Sequence, residues 1–427
     1  ESSNPIFNAA HCLIGKAVRS NMQSVFTDCP HREKLGWLEQ VHLNGPGLLY
    51  NYDLTAYAPQ IMQNMVDAQH SNGAMPTTAP EYVVFEGPGM DAFAESPEWG
   101  GSLVIFPFMY YEAYGDDSLI RKYYSNMRRY VDYLKTRADN NILSFGLGDW
   151  YDYGDFRAGF SRNTPVPLVA TAHYYMTVMY LIEAAKMVGN DYDIRYYSSL
   201  ADDIRIAFDK RFLNNDTAQY GTGSQCSNAL PLFLHMTQDK KVFMNLIKDV
   251  EAHGNRLTTG DVGNRYLIQT LARNDQHELI YKMFNHEEAP GYGFQLKFGA
   301  TTLTEQWDPR QGSSWNHFMM GQIDEWFFNS LVGIRPYAAS TLENQQNKSK
   351  QGYQKFIIAP QPVGDLKFVK SSYETLYGTI VVDWARQDGT FTLNVSVPVN
   401  TTAVVYLPGE KEPKEVQSGT YKFVCTE

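Results

Sequence analysis

From residue 6 to about 25, apolar side chains return at helical spacing (Ile6, Ala9, Leu13 and Ala17), after Asn4 and Pro5, which suit a cap and a first turn. The same period predicts helix over 38–69, broken near Gly45-Pro46-Gly47, and over 99–114, 118–138, 167–188 and 192–212. Further segments follow at 227–236, 239–252, 261–273 and 275–284, and a last one at 314–331. That makes about eleven or twelve helices. Short turns such as Gly115-Asp116-Asp117 and Gly189-Asn190-Asp191 alternate with long polar loops, of which 70–98 is too rich in Gly and Pro to be helical. A loop of that length inside a globular domain usually rims a cleft. Stacked helical hairpins with one functional face are the expected architecture. No constant period repeats, which excludes a regular solenoid.

After Gly333 the period changes to two. In Thr390-Phe391-Thr392-Leu393-Asn394-Val395-Ser396-Val397 the apolar side falls at 391, 393, 395 and 397. The stretches around Phe368–Trp384, 403–407 and 420–424 read the same way. The expected division is a helical domain over 1–334 and an antiparallel β-sandwich over 335–427.

Composition narrows the function. With 427 residues and 43% hydrophobic residues the chain can bury a real core, and the 29 Tyr, 23 Phe and 7 Trp exceed what a core needs. A net charge of -11 argues against a nucleic-acid partner and fits a neutral, soluble substrate equally well as an acidic protein surface. No run reaches the ~18 apolar residues of a membrane span. Cys12, Cys29, Cys226 and Cys425 are scattered and make no disulfide scaffold. The ten histidines show no zinc spacing, and no phosphate-binding or nucleophile-elbow motif is present, so neither metal nor cofactor is expected. Cys29 beside His31 is a poor thiol nucleophile, since close neighbours in a Pro-containing loop rarely align. The opening Glu1-Ser2-Ser3-Asn4-Pro5 reads as following a removed leader or as the later part of a longer protein, and export to the periplasm or cell exterior is expected.

Two remote clusters carry the chemistry. Residues 27–40 hold Asp28, Glu33 and Glu39 with Arg32, His31 and Trp37 around the stiffening Pro30. Residues 301–308 hold Glu305, Trp307 and Asp308, followed by Ser313, Asn316 and His317. Carboxylates beside aromatics suit a sugar, which offers hydroxyls to bond and an apolar face to stack on. Glu33, with Arg32 and Asp28 to set its protonation, is the candidate general acid, and Glu305 the candidate general base of an inverting glycosidase. The blander readings are a solvated charge run at Glu33 and a salt bridge to Arg310 or a helix cap at Glu305. Asp149, Trp150 and Asp152 form a third cluster, either a sugar-binding wall or a polar loop with its indole in the core. Trp99 is either a stacking platform or a helix-start anchor.

At these residues the sequence resembles the α-L-rhamnosidases of glycoside hydrolase family 78. Asp28-Cys29-Pro30-His31-Arg32-Glu33 followed by Gly36-Trp37 is similar to that family's general-acid loop, and Thr301-Thr302 with Glu305 and Trp307 to its general-base loop. Gly148-Asp149-Trp150, Ser314-Trp315-Asn316-His317, Leu257-Thr258-Thr259-Gly260 and Gly299-Ala300 extend the likeness over nearly the whole chain. The resemblance implies an (α/α)6 barrel followed by a β-sandwich, with further β-domains ahead of the barrel in a longer parent. It also implies release of terminal α-L-rhamnose with inversion: Glu33 protonates the leaving oxygen, Glu305 activates water, and Asp28, Asp149 and Trp150 line the rhamnose pocket. Where the family places an acid three positions after the Trp, this chain reads Trp37-Leu38-Glu39-Gln40. Gln40 can bond a hydroxyl without carrying charge, and Glu39 is the alternative acid. The rival readings are a hydrolase for another sugar on the same barrel, a polysaccharide lyase and a non-catalytic carbohydrate-binding protein.

Overall fold

The computed structural model describes residues 1–337 and 352–426. Two kinds of helix alternate along the first part. Pro5–Asn21, Tyr57–Ala68, Ser118–Arg137, Asp191–Phe212, Lys240–Ala252 and His277–Phe284 bury one face and show the other to solvent. Between them come Glu39–Leu43 with Gly45–Asn51, then Ser102–Tyr114, Val166–Val188, Gln225–Phe233, Asp261–Arg273 and finally Ile323–Trp326 with Phe327–Val332, all buried on nearly every side. Helices apolar all round belong inside and amphipathic ones outside. The result is a six-hairpin (α/α)6 barrel with an inner and an outer ring.

The alternation fixes where the long loops go. Every passage from an inner helix to the next outer one is short, as at 115–117, 189–190 and 274–276. The passages from outer to inner at 22–38, 69–101, 138–165 and 285–322 are long. Because successive helices run in opposite directions, all of the long loops emerge on one face, at the N-terminal ends of the inner helices. The sequence expectation of one functional face is met. The expected helix over 314–331 is not: helix begins only at Ile323, and the preceding residues form a loop closed by Ser314 Oγ donating to the Asn316 carbonyl oxygen at 3.0 Å. Local side-chain bonding of this kind competes with helix for the backbone. A short helix, Tyr292–Lys297, and a two-residue hairpin of β1 (Leu213–Asn214) with β2 (Gln219–Tyr220) were too brief to leave a period in the sequence.

The described residues beyond the barrel form two packed four-stranded sheets. The strands are β3 (Ile334–Pro336), β4 (Lys355–Ile358), β5 (Phe368–Thr375), β6 (Gly378–Gln387), β7 (Thr390–Val397), β8 (Thr402–Val405), β9 (Lys414–Val416) and β10 (Gly419–Thr426). Their orders are β10-β7-β6-β5 and β3-β4-β8-β9. Every described pair is antiparallel except β4 with β8, which is parallel. Phe391, Leu393, Val395 and Val397 face the core as their alternation predicts. Trp384 Nε1 donates to the Leu331 carbonyl at 2.9 Å, and the Ser3 amide to that of Phe368 at 3.1 Å, so the chain's start and the last inner helix both grip this unit.

Inside the barrel Arg265 donates to both oxygens of Glu325, at 2.7 and 2.9 Å, with both side chains buried. The pair joins two inner helices. Breaking one side strands a buried charge, so Arg265→Met lowers unfolding free energy by about 3–5 kcal/mol in equilibrium urea titrations, while the double change Arg265→Met/Glu325→Leu recovers most of it. Equal losses in the single and double variants would show that the charge is not what matters.

Candidate active site

The first long loop turns tightly after Pro30. Its polar end is held by Asp28, whose buried carboxylate accepts the Leu35 amide at 2.9 Å, while the Glu33 amide donates to Cys29 Sγ at 3.4 Å. Burial pushes the Cys29 thiol up, away from nucleophilic use. Arg32 and Glu33 are thereby turned outward, and Trp37 Nε1 donates to Glu33 Oε2 at 2.9 Å. Across the opening, the Glu305 and Ser314 backbones pair, and the Ser314 amide donates to Glu305 Oε2 at 2.7 Å. Glu305 is only 6% exposed.

Arg32 joins the two clusters. Its Nη2 lies 2.7 Å from Glu305 Oε2 and 3.3 Å from Glu33 Oε1. These two carboxylate oxygens are therefore no more than about 6 Å apart, close to the range in which glycosidase carboxyl pairs work. Tyr151 approaches from the third loop and donates to Glu305 Oε1 at 3.2 Å. Its backbone sits in the left-handed region at φ 61, a conformation a bulky residue adopts only when its surroundings impose it. Arg310, the partner proposed for Glu305 by the blander reading, pairs instead with Asp308 at 2.8 Å.

The two carboxyls sit in opposite environments. Burial raises Glu33, and Asp28 raises it further, against the opposing pull of the Trp37 bond and Arg32. Burial would also raise Glu305, but His317, the Ser314 amide and Arg32 outweigh it and hold that carboxyl below its ordinary value. Desolvation works against the Arg32 charge, yet Glu305 beside it holds the guanidinium even more firmly protonated than usual. His317 is buried and its imidazole is lowered by that burial, against the pull of Glu305 and Asp28. One carboxyl is favoured protonated and the other ionised, which is the division of labour acid–base chemistry requires.

Beneath this pair lies an acidic floor. Asp149 accepts the Gly263 amide at 2.6 Å, and burial together with Asp152 pushes it up to about 7. Two glycines permit the fit. A Cβ on Gly260 would come within 2.0 Å of the Trp150 carbonyl oxygen, and one on Gly263 within 2.7 Å of the Asp149 carboxylate. Burial raises Glu39 well above its ordinary value, with Asp28 and Glu33 adding to it, and raises Asp261 likewise, with Glu39 and Asp149 adding to it. Asp28, Glu39, Asp149 and Asp261 each keep one buried oxygen without a protein partner among the described residues, and Gln40 keeps both side-chain polar atoms so. Buried polar atoms are normally satisfied, so this cluster is shaped for polar groups from outside the chain.

Of the residues expected from sequence, Arg32 bonds Glu305, Glu33 is tied to it through Arg32, Trp37 bonds Glu33, and Asp28 and His317 act on their surroundings through charge. Gln40 and Asp149 lie on the floor. Two expectations need correction. Trp99 is 2% exposed within the barrel core and Trp307 is also 2% exposed, its ring edge-on to Tyr292 at 5.2 Å. Neither offers an open face for stacking; Trp99 is the helix-start anchor of the alternative reading, and Trp307 backs the Glu305 loop. Asp152 ties its own loop through the Arg162 and Asn163 amides. The sequence reading missed Tyr151 and Asp261. Tyr151 stood inside a flagged aromatic cluster, but only its φ brings it to Glu305; Asp261 directly follows the flagged Gly260. No group of three His, Cys, Asp or Glu is placed to hold a metal among the described residues, and no helix there is long and apolar enough to cross a membrane. A separate cavity at the far ends of the inner helices, lined by Tyr50, Glu112, Arg273, Arg335 and Tyr353, contains none of the predicted site residues.

Comparison with known proteins gives a consistent picture. The family model of the bacterial alpha-L-rhamnosidase 6 hairpin glycosidase domain matches residues 1–331, and that of the bacterial alpha-L-rhamnosidase C-terminal domain matches 333–422. An alpha-L-rhamnosidase of Streptomyces avermitilis is 28% identical over 441 residues, covering 100% of this chain and 40% of its own length. One from Formosa agariphila is 28% identical over 426 residues, covering 95% and 44%. The structure of alpha-L-rhamnosidase from Dictyoglumus thermophilum superposes over 100% of this chain and 50% of its own, with a TM-score of 0.89 at 29% identity. That of the S. avermitilis enzyme complexed with L-rhamnose gives 0.87 at 26% identity, covering 100% of this chain and 42% of that one. The chain spans less than half the length of these curated relatives.

Proposed function

The chain belongs to the bacterial alpha-L-rhamnosidase six-hairpin glycosidase family, and from that premise we propose that it is a glycoside hydrolase releasing terminal α-L-rhamnose from glycosides or saccharides with inversion. The barrel, residues 1–334, carries the site, and the described residues of 335–427 belong to the domain that braces it. The observation that carries the reading is the Arg32 bridge, which brings two carboxyls of opposite protonation preference to one opening. Glu33 donates its proton to the departing glycosidic oxygen. Glu305 takes a proton from a water that attacks the anomeric carbon from the other side of the ring. Both Glu305 oxygens carry donors, Tyr151 on one and Ser314 with Arg32 on the other, which hold the carboxylate in place. Asp28, Glu39, Gln40, Asp149 and Asp261 bond the sugar hydroxyls. A site built for hydroxyls rejects sugars that lack them, because its own buried groups would stay unpaired. The L-rhamnose named with the S. avermitilis structure and the matching family support this sugar.

One observation favours a second reading. The bound of about 6 Å on the nearest carboxylate oxygens approaches the 5–5.5 Å of retaining enzymes, in which Glu305 would be the nucleophile. Proton NMR of fresh product separates the two. Inversion yields β-L-rhamnose first, mutarotating afterwards; α-L-rhamnose appearing first would assign Glu305 the nucleophilic role. Absence of rhamnose from any rhamnoside, with another sugar released instead, would replace the sugar and keep the barrel chemistry.

A further inference from the structure

At the far end of the barrel from the carboxylate pair, a cavity of about 460 Å³ opens between the inner helices and the β-domain. Small-ligand sites usually enclose roughly 300–1,000 Å³, so the space is of the right size to hold one. Both units build it. Arg265, Gln269 and Arg273 recur every fourth residue along the helix Asp261–Arg273 and so share one face, which forms a wall. Arg335, Ile357 and Tyr406 of the β-domain form another.

Charge and hydrogen bonding in this lining favour an anion. Among the described residues Arg265, Arg273 and Arg335 stand against Glu112 and Glu325, three positive charges to two negative, in a chain whose net charge is -11. Most of these groups are engaged within the protein. Arg265 and Glu325 bond each other, Arg273 donates to the Phe233 carbonyl at 3.3 Å, and Glu112 has a partner of its own. Two donors stand apart from that pattern. Gln269 is only 5% exposed; its Oε1 accepts Asn329 Nδ2 at 3.3 Å, but its Nε2 has no partner among the described residues. Arg335 is exposed, yet enough protein surrounds it that burial lowers its guanidinium. Its backbone pairs with Ile357, and its guanidinium has no hydrogen-bond partner among the described residues. A buried amide donor left unpaired is costly, and a carboxylate accepts from amides and guanidinium groups alike.

The remaining surface says what carries that carboxylate. Tyr406, 41% exposed, offers an open ring, and Asn329 and Gln361 add amides. A ring to stack on and amides to bond hydroxyls suit a saccharide better than a hydrocarbon acid. We propose that this cavity is a second ligand site and binds a hexuronate, a sugar ring bearing a carboxylate. The proposal goes beyond the rhamnose reading and does not depend on it.

The test is calorimetric titration of the chain with sodium D-glucuronate and sodium D-galacturonate, against D-glucose and sodium acetate. At least one uronate binds, about tenfold or more tighter than glucose or acetate, because the site reads both the charge and the ring. Saturating L-rhamnose leaves that binding unchanged. Arg335→Gln and Gln269→Glu, the second placing an acceptor where the donor stood, each weaken it by about tenfold or more. Both variants keep the unaltered rate on rhamnosides. Arg335 is exposed, so its replacement decides the matter even if Gln269→Glu fails to fold. Four results overturn the proposal: no binding of either uronate, equal binding of glucose or acetate, displacement by rhamnose, or unaltered affinity in Arg335→Gln. If rhamnosides are not cleaved at all, the proposed function fails and the uronate titration still decides this site.

Discussion

Glu305→Gln lowers kcat on rhamnosides by at least roughly 10³-fold, in the upper part of the range for lost acid–base assistance, while rhamnose still binds within a few-fold of the unaltered affinity. The substitution keeps the shape: an amide oxygen can still accept from the Ser314 amide and from Arg32. What it removes is the ability to take a proton, so the loss falls on turnover and not on binding, the pattern of an interaction made in the transition state. Azide separates a missing base from a distorted pocket, since it attacks without needing deprotonation. Rescue by azide, with β-rhamnosyl azide as product, follows if Glu305 is the base of an inverting reaction. A variant turning over within tenfold of the unaltered chain would remove Glu305 from the role.

How far the sequence revealed this site depended on the range of the interactions. Glu33, Trp37 and Asp28 share one stiffened loop, so their proximity was already written in their spacing. That Glu305 would join them followed from its surroundings and from the resemblance, but the joining piece, an Arg32 nitrogen that pairs with Glu33 and bonds Glu305, rests on a contact across 273 positions that no local pattern encodes. The tryptophans show the opposite limit. Trp37, Trp99, Trp150 and Trp307 look alike as letters beside carboxylates, yet Trp99 and Trp307 are enclosed and Trp37 and Trp150 are half-open. Which face of a short turn an indole occupies is settled by packing. Helix periods served well where helices were long and failed over 314–322, where Ser314 turns the chain locally and thereby delivers its amide to Glu305. Periodicity misled where local side-chain bonding had bent the chain.

The acidic floor gives that architecture its meaning. Three of its buried carboxyls, Glu39, Asp149 and Asp261, are raised by burial and by the charge of neighbouring carboxylates, which favours their neutral forms. A protonated carboxyl can donate as well as accept, which suits a sugar whose hydroxyls do both. The uncharged Gln40 thus stands beside Glu39, its neighbour in sequence, which in turn acts through charge on the distant Asp261.

Glu33→Gln lowers kcat/KM by roughly 10²–10⁴-fold on alkyl rhamnosides and by much less on a dinitrophenyl rhamnoside, whose leaving group needs no proton. A purely structural role would slow both alike, and such parity would sink the assignment. The pH profile supplies the sign. On the proposed roles, turnover needs Glu305 ionised and Glu33 protonated, so the acid limb follows Glu305 and, because that carboxyl is lowered, lies below the ordinary glutamate range. The alkaline limb follows Glu33 and, because that one is raised, lies above it. Activity is fully present between the two limbs and disappears as pH rises through the Glu33 value. Trp37 refines the prediction, because its Nε1–H bond favours the charged form and pulls Glu33 down. Trp37→Phe removes that donor while keeping an aromatic ring against Phe85, and the alkaline limb moves to higher pH. A limb that moves down instead, or vanishes in Trp37→Phe while surviving in Glu33→Gln, would mean that another group supplies the proton.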